Sequence, residues 1–188
     1  MYYHGLAGKT AQYTRIAESA DGLSCTALPG IVRSNYLRMF QYRAQWYGLA
    51  MPGILYRSPN GIDNFVPRDK LLFEPDMRHA GLWLQGETLY VFWSRVGDAP
   101  ESILVSAVDL SASNWDEWQA TEPQVLLRPE LPWEGSELKV ETSLRGELGL
   151  PGNELHDPYV FTDDDGQVYL LYVGAGQQAI GVARLLPR

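Results

Sequence analysis

The residues with the greatest chemical capacity gather in a few short stretches: Arg78-His79, Asp98 and Glu101 around Pro100, Trp133-Glu134-Gly135, Glu154-Leu155-His156-Asp157-Pro158 and Gln177-Gln178. Carboxyl groups beside imidazoles suit proton transfer, because one environment keeps a carboxyl protonated while another keeps its neighbour ionised. Glu134 and Glu154 are the candidate catalytic proton donors, and Glu134, in a glycine-bounded loop, is the preferred one. Asp157 is the candidate orienting carboxylate, since Pro158 fixes the backbone behind it and cannot donate a ladder hydrogen bond. The competing role for Asp157 is to accept backbone N–H groups where a strand begins. Candidate ligand-binding residues are Arg78, His79, Asp98, Glu101, Trp133, His156 and Gln177, with Gln178 as the alternative to the last. A planar guanidinium forks onto carboxylates, so Arg78 is expected to pair with Asp157 or another acid. Asp98 and Glu101 have the competing role of shaping their own loop. Ligands rich in hydroxyls need such donors and acceptors, and the apolar faces of their rings stack on aromatics. A sugar is the ligand class that fits.

Other chemistries are disfavoured. Two histidines near carboxylates raise the question of a metal, but no short metal-ligand spacing is present, so neither a metal nor a cofactor is expected. There is no nucleophile elbow, phosphate loop, zinc helix or dinucleotide glycine motif. A net charge of −8 argues against a partner held by phosphate neutralisation, so no nucleic acid is expected. No apolar stretch approaches the roughly 20 residues of a membrane helix. The first residues lack the pattern of a secretion signal, which favours the cytoplasm unless the true start lies upstream. Cys25, the only cysteine, forms no intrachain disulfide and is expected to be a buried small hydrophobe.

The elements that must position these residues read as strands. Eighteen glycines and 12 prolines break the chain too often for helices, and the apolar runs between them are short. Tyr159–Phe161, the turn ending Asp165-Gly166, Val168–Val173, a loop, and Ile180–Leu185 make one strand-turn-strand-loop-strand unit. The order recurs in Gly81–Leu84, Leu89–Trp93 and Ile103–Val108, and in Leu37–Tyr42, Trp46–Ala50 and Ile54–Arg57. Met1–Ala7 and Tyr13–Gly22 fit a further copy without its first strand. The echoes recur at the roughly 40–45 residues of a four-stranded propeller blade. The fold expected is all-β, an incomplete β-propeller of about three and a half to four blades. Its single domain spans 1–188 and divides at 1–29, 30–73, 74–135 and 136–188. Gln119–Asn153 reads as an insertion, and Trp115 and Trp118 as the edge of an outer strand. The aromatics Tyr47, Tyr90, Phe92, Trp93, Tyr169 and Tyr172 recur at strand period, which assigns them to packing. Successive loops of such a meander alternate between two ends. The tight turns at Asp21-Gly22, Asn60-Gly61, Gln85-Gly86 and Asp165-Gly166 share one end, and the candidate residues share the other.

These residues carry a resemblance. Asn153 to Phe161, the Asp-Asp-Gly hairpin, Tyr169-Leu170-Leu171-Tyr172 and Ile180-Gly181-Val182-Ala183 resemble the final blade of the five-bladed propeller glycosidases of glycoside hydrolase families 43 and 32. Arg78-His79, Gly97 to Glu101 and Trp133-Glu134-Gly135 are similar to segments of uncharacterised relatives of that clan. The resemblance implies a five-bladed parent fold, a carbohydrate in its funnel, and acid/base hydrolysis of a glycosidic bond. It also implies a general-base Asp on the first blade, which no residue here matches, so the chain resembles the C-terminal part of a longer propeller. Three readings stay open: hydrolysis completed by a base supplied from upstream, carbohydrate binding without turnover, and an inactive product that self-associates through open blade edges as a homo-oligomer.

Overall fold

The computed structural model describes residues 1–7, 11–32, 34–146 and 150–186. They form fourteen strands in four small antiparallel sheets, in which consecutive strands are neighbours throughout. The fold is all-β. Among the described residues no helix is long and apolar enough to cross a membrane.

Two compact units divide the chain, Met1–Phe73 and Glu74–Arg188. The first holds β1 (Tyr2–Ala7), β2 (Ala11–Glu18) and β3 (Thr26–Val32) in one sheet. Its second sheet contains β4 (Arg38–Tyr42), β5 (Gln45–Ala50), β6 (Ile54–Ser58) and β7 (Val66–Pro67). The second unit holds β8 (Met77–Gln85), β9 (Thr88–Arg95), β10 (Ile103–Asp109) and β11 (Gln124–Leu127), then β12 (Leu155–Thr162), β13 (Val168–Gly174) and β14 (Ala179–Leu185).

Local chemistry sets these hairpins. Gly86 opens the two-residue loop between β8 and β9 at φ +59°, a conformation glycine adopts without steric cost. Period-2 burial then selects the core. On β13, Leu170, Tyr172 and Gly174 face inward while their neighbours are partly exposed. Leu170 and Tyr172 pack with Phe92, Ile103 and Leu155 as the core of the second unit, with Trp83, Tyr90 and Leu185 around them. In the first unit the equivalent cluster is Val32, Leu37, Ala50 and Tyr56.

Three expectations need correction. Cys25 is exposed, not buried, because it follows a turn stapled to the surface by Asp21, whose Oδ1 accepts the N–H groups of Leu23 and Ser24. Trp115 and Trp118 do not line a strand edge. Trp115 begins a 3-10 turn, Trp115–Glu117, capped by Asn114, and both indoles are buried. The stretch from Gln119 to Asn153 is not wholly an insertion, since it contains β11, the outer strand paired with β10.

Candidate functional site

The site is built where β8 and β12 begin, and both strands are bulged there. Arg78 pairs with Ser94 and Ala80 with Trp93, which leaves His79 as the extra residue of β8. His156 pairs with Val173 and Tyr159 with Leu171, which sets Asp157 and Pro158 against a single residue of β13. A bulge bends its strand and re-aims a side chain. His79 and Asp157 both take left-handed backbone, at φ +43° and +51°, and Tyr36 does the same just before β4, at +55°. Such conformations cost about 1–3 kcal/mol each in residues with a Cβ and concentrate at functional sites. Gly81 lets the two strands meet, because a Cβ there would stand 3.1 Å from the carbonyl oxygen of Pro158.

The two bulges bring three side chains together. His79 Nδ1 lies 2.6 Å from Asp157 Oδ1, and His156 Nδ1 lies 2.9 Å from Asp157 Oδ2. Both imidazoles are buried, while the Asp157 side chain keeps 29% of its exposure and forms the open side of the cluster. Burial alone would raise the Asp157 pKa, but the two imidazoles outweigh it and hold the carboxyl well below the usual range. Burial pushes the His79 pKa down, with Asp157 acting in the opposite direction.

Behind this trio lies a second buried group. Arg78 Nη1 is 3.5 Å from Glu101 Oε2, and its guanidinium also donates to the carbonyls of Leu144 and Gly146. The partner of Arg78 is therefore Glu101, not Asp157. Glu154 is 5% exposed, and its pKa is raised by burial first and by the charge of Glu101 second. Among the described residues, Glu101 Oε1 and Glu154 Oε2 are buried without a hydrogen-bond partner.

No family model matches the chain. A curated relative, an uncharacterised protein of Acanthamoeba polyphaga mimivirus, is 32% identical over 203 residues, covering 98% of this chain and 56% of the relative. The chain thus spans little more than half the length of that relative. A thermostable family-43 glycoside hydrolase superposes with a TM-score of 0.65 at 14% identity, covering 97% of this chain and 67% of its own. The GH32 beta-fructofuranosidase of Bombyx mori gives 0.61 at 16%, over 95% and 40%. The alpha-L-arabinanase of Cellvibrio cellulosa gives 0.53 at 16%, over 83% and 49%. The fold is that of the propeller glycosidases.

Within this glycosidase-like fold the other expected residues are spread around the second unit. Glu134 closes the 3-10 turn Pro132–Glu134, where Oε2 accepts the N–H groups of Glu130 and Leu131 and Oε1 accepts the Tyr172 hydroxyl at 2.6 Å. Burial would raise its pKa, yet these three bonds lower it, so Glu134 is an ionised brace rather than a reservoir of protons. Trp133 is 42% exposed and stacks on Tyr172, with ring centroids 6.1 Å apart. Gly181, opposite Tyr172, leaves the room both rings occupy. Asp98 lies on its loop, 3.9 Å from Arg95, and its carbonyl accepts the Ser143 N–H. Gln177 and Gln178 are exposed on the β13–β14 loop.

The structure thus gathers His79, His156 and Asp157 around one point, sets Arg78, Glu101 and Glu154 behind them, and leaves Asp98, Gln177 and the shared turn of Trp133 and Glu134 outside that group. Sequence reasoning missed the supports. Asn153 donates to the carbonyls of Ser136 and Leu138, tying the long loop to the start of β12. Ser143 accepts the Gly97 N–H, and nothing in its sequence context signals that role. A cleft of about 530 Å³ lies at the opposite, tight-turn end of the unit, lined by Trp83, Gln85, Thr162, Gln167 and Arg184. Its lining contains no histidine and one carboxylate, Asp165, whereas the bulged end gathers two imidazoles and a carboxylate.

The brace makes a prediction with a defined sign. Glu134→Gln is expected to lose about 1.5–3 kcal/mol of stability near neutral pH, the range for hydrogen bonds to a charged group. The folded-state pKa of Glu134 lies below its ordinary value of 4.5. Its stabilisation is therefore complete above that value and fades as pH falls through the lowered one. Urea midpoints of parent and variant should converge on acidification. A gap as wide in acid as at neutrality would show that the Glu134 charge contributes nothing.

Proposed function

We propose that the protein binds a carbohydrate where β8 and β12 begin, and that the chemistry of the site is glycosidic hydrolysis, with Asp157 orienting the sugar and Glu154 as proton donor. The observation that carries this reading is Asp157, an accessible carboxylate held between two buried imidazoles at the end of a propeller-glycosidase fold. A carboxylate so fixed accepts hydrogen bonds from ligand hydroxyls without losing side-chain freedom on binding. Glu154 supplies the second carboxyl that the reaction requires. A general base has no match among these residues, so turnover is proposed for a protein of the length of the mimivirus relative and binding for the chain itself.

Binding without turnover is the second reading, and it is favoured by the burial of Glu154, which leaves 5% of that residue exposed. One of the solved arabinanase structures holds arabinohexaose, which makes that oligosaccharide a natural first probe. Calorimetry with arabinohexaose and with fructo- and xylo-oligosaccharides should give saturable binding to at least one. Asp157→Asn should weaken it about 10-fold or more, the equivalent of one charge-assisted hydrogen bond. Reducing sugar released by a protein of the relative's length distinguishes hydrolysis from binding. No binding by any of the three classes would overturn both readings.

A further inference from the structure

We infer that His79, His156 and Asp157 form a site for a divalent transition cation of the zinc type, an inference that goes beyond the carbohydrate reading and does not depend on it. One donor atom from each residue can be chosen so that all three lie within 4.8 Å of one another, a grouping that sequence spacing conceals because the histidines stand on strands of different sheets.

Three observations converge. The donor set is two imidazoles and one carboxylate, which suits zinc and its neighbours, whereas calcium and magnesium take oxygen alone. The donors are also preorganised: His79 and His156 are buried and Asp157 is fixed by its bulge, so little side-chain freedom remains to be lost. Lastly, the surroundings carry surplus negative charge. Among the described residues the Arg78 guanidinium is taken up by Glu101, which leaves the Asp157 carboxylate for a cation to neutralise.

The geometry asks for a small adjustment. Donors about 2.0–2.1 Å from a tetrahedral zinc stand about 3.3 Å apart. The two contacts run to different oxygens, His79 at 2.6 Å from Asp157 Oδ1 and His156 at 2.9 Å from Asp157 Oδ2, so an ion held by one of these oxygens widens that contact to tetrahedral spacing and draws the other imidazole off the second oxygen. Each Nδ1 faces an Asp157 oxygen, so a neutral ring that donates there moves that proton to its own Nε2 as Nδ1 turns a lone pair to the metal, a change of tautomer that leaves the proton count unchanged. Three protein ligands leave one position open on the exposed side of Asp157, where water or a hydroxylated ligand can bind.

The test uses the protein freed of metal by chelator and dialysis. Zinc titrated by calorimetry should bind at one equivalent per chain with Kd of about 1 μM or tighter, and calcium should not compete. The chain has three histidines, and His4 lies in the other unit. Two of the three imidazole signals in an NMR spectrum should therefore shift with zinc while that of His4 stays in place. Asp157→Asn should weaken zinc binding at least tenfold, with folding checked by circular dichroism. If that variant does not fold, the histidine shifts of the unaltered protein decide the matter. Absence of binding, unmoved His79 and His156 signals, or an unchanged affinity in a folded Asp157→Asn variant would each overturn the site.

Discussion

Replacing Arg78 with methionine is expected to lower the free energy of unfolding by about 3–5 kcal/mol, the usual cost of stranding one partner of a buried ion pair. Glu101 has no exposed surface, and the Arg78 guanidinium stands 3.5 Å from its Oε2. Its other oxygen has no partner among the described residues, so no neighbour can take over the charge. Arg78 also donates to the carbonyls of Leu144 and Gly146, and the variant releases that loop as well. Urea denaturation measures the loss. Adding Glu101→Gln should restore a large part of it, because the double variant no longer buries an uncompensated charge. A single-variant loss under about 1 kcal/mol would mean that the pair is solvated, as surface pairs are.

Leu155→Ala should cost about 2–5 kcal/mol, from lost transfer free energy and the cavity left behind. Leu155 is fully buried against Phe92, Ile103, Leu170 and Tyr172, and its N–H donates to the carbonyl of Glu101. It stands between Glu154 and His156, so a void beneath it loosens the start of β12 as well as the core. Leu170→Ala, in the same cluster but at the middle of β13, should cost a similar amount. The two differ in their effect on the site. Only Leu155→Ala should broaden the imidazole signals of His79 and His156. Equal broadening in both variants would locate the disturbance in the whole core.

Much of this was legible in the residues themselves. The middle strands follow from apolar runs such as Val168–Val173, and the turns before them from glycines such as Gly166, at φ +80°. Outer strands are less visible. β7 is only Val66–Pro67, and β3 contains Pro29-Gly30, so neither shows the apolar alternation that marks a half-buried strand. The candidate residues were recognisable by type, but their grouping depended on two bulges that no local pattern announces. Glu134 shows the limit most clearly: its glycine-bounded loop suggests a proton donor, whereas Tyr172, far along the chain, supplies the bond that helps keep it ionised.

The left-handed residues that open the inner strands have an evolutionary consequence. Tyr36, His79 and Asp157 stand outside the paired registers of β4, β8 and β12, so exchanging any one of them removes no cross-strand partner. A lineage can change the group presented at such a place while the surrounding ladder is inherited intact. Mutational tolerance should accordingly separate into two kinds along a single strand. Positions such as Leu82 and Val160 would be conserved for assembly, and the residue at the bend would be free to diversify with whatever the protein has come to hold.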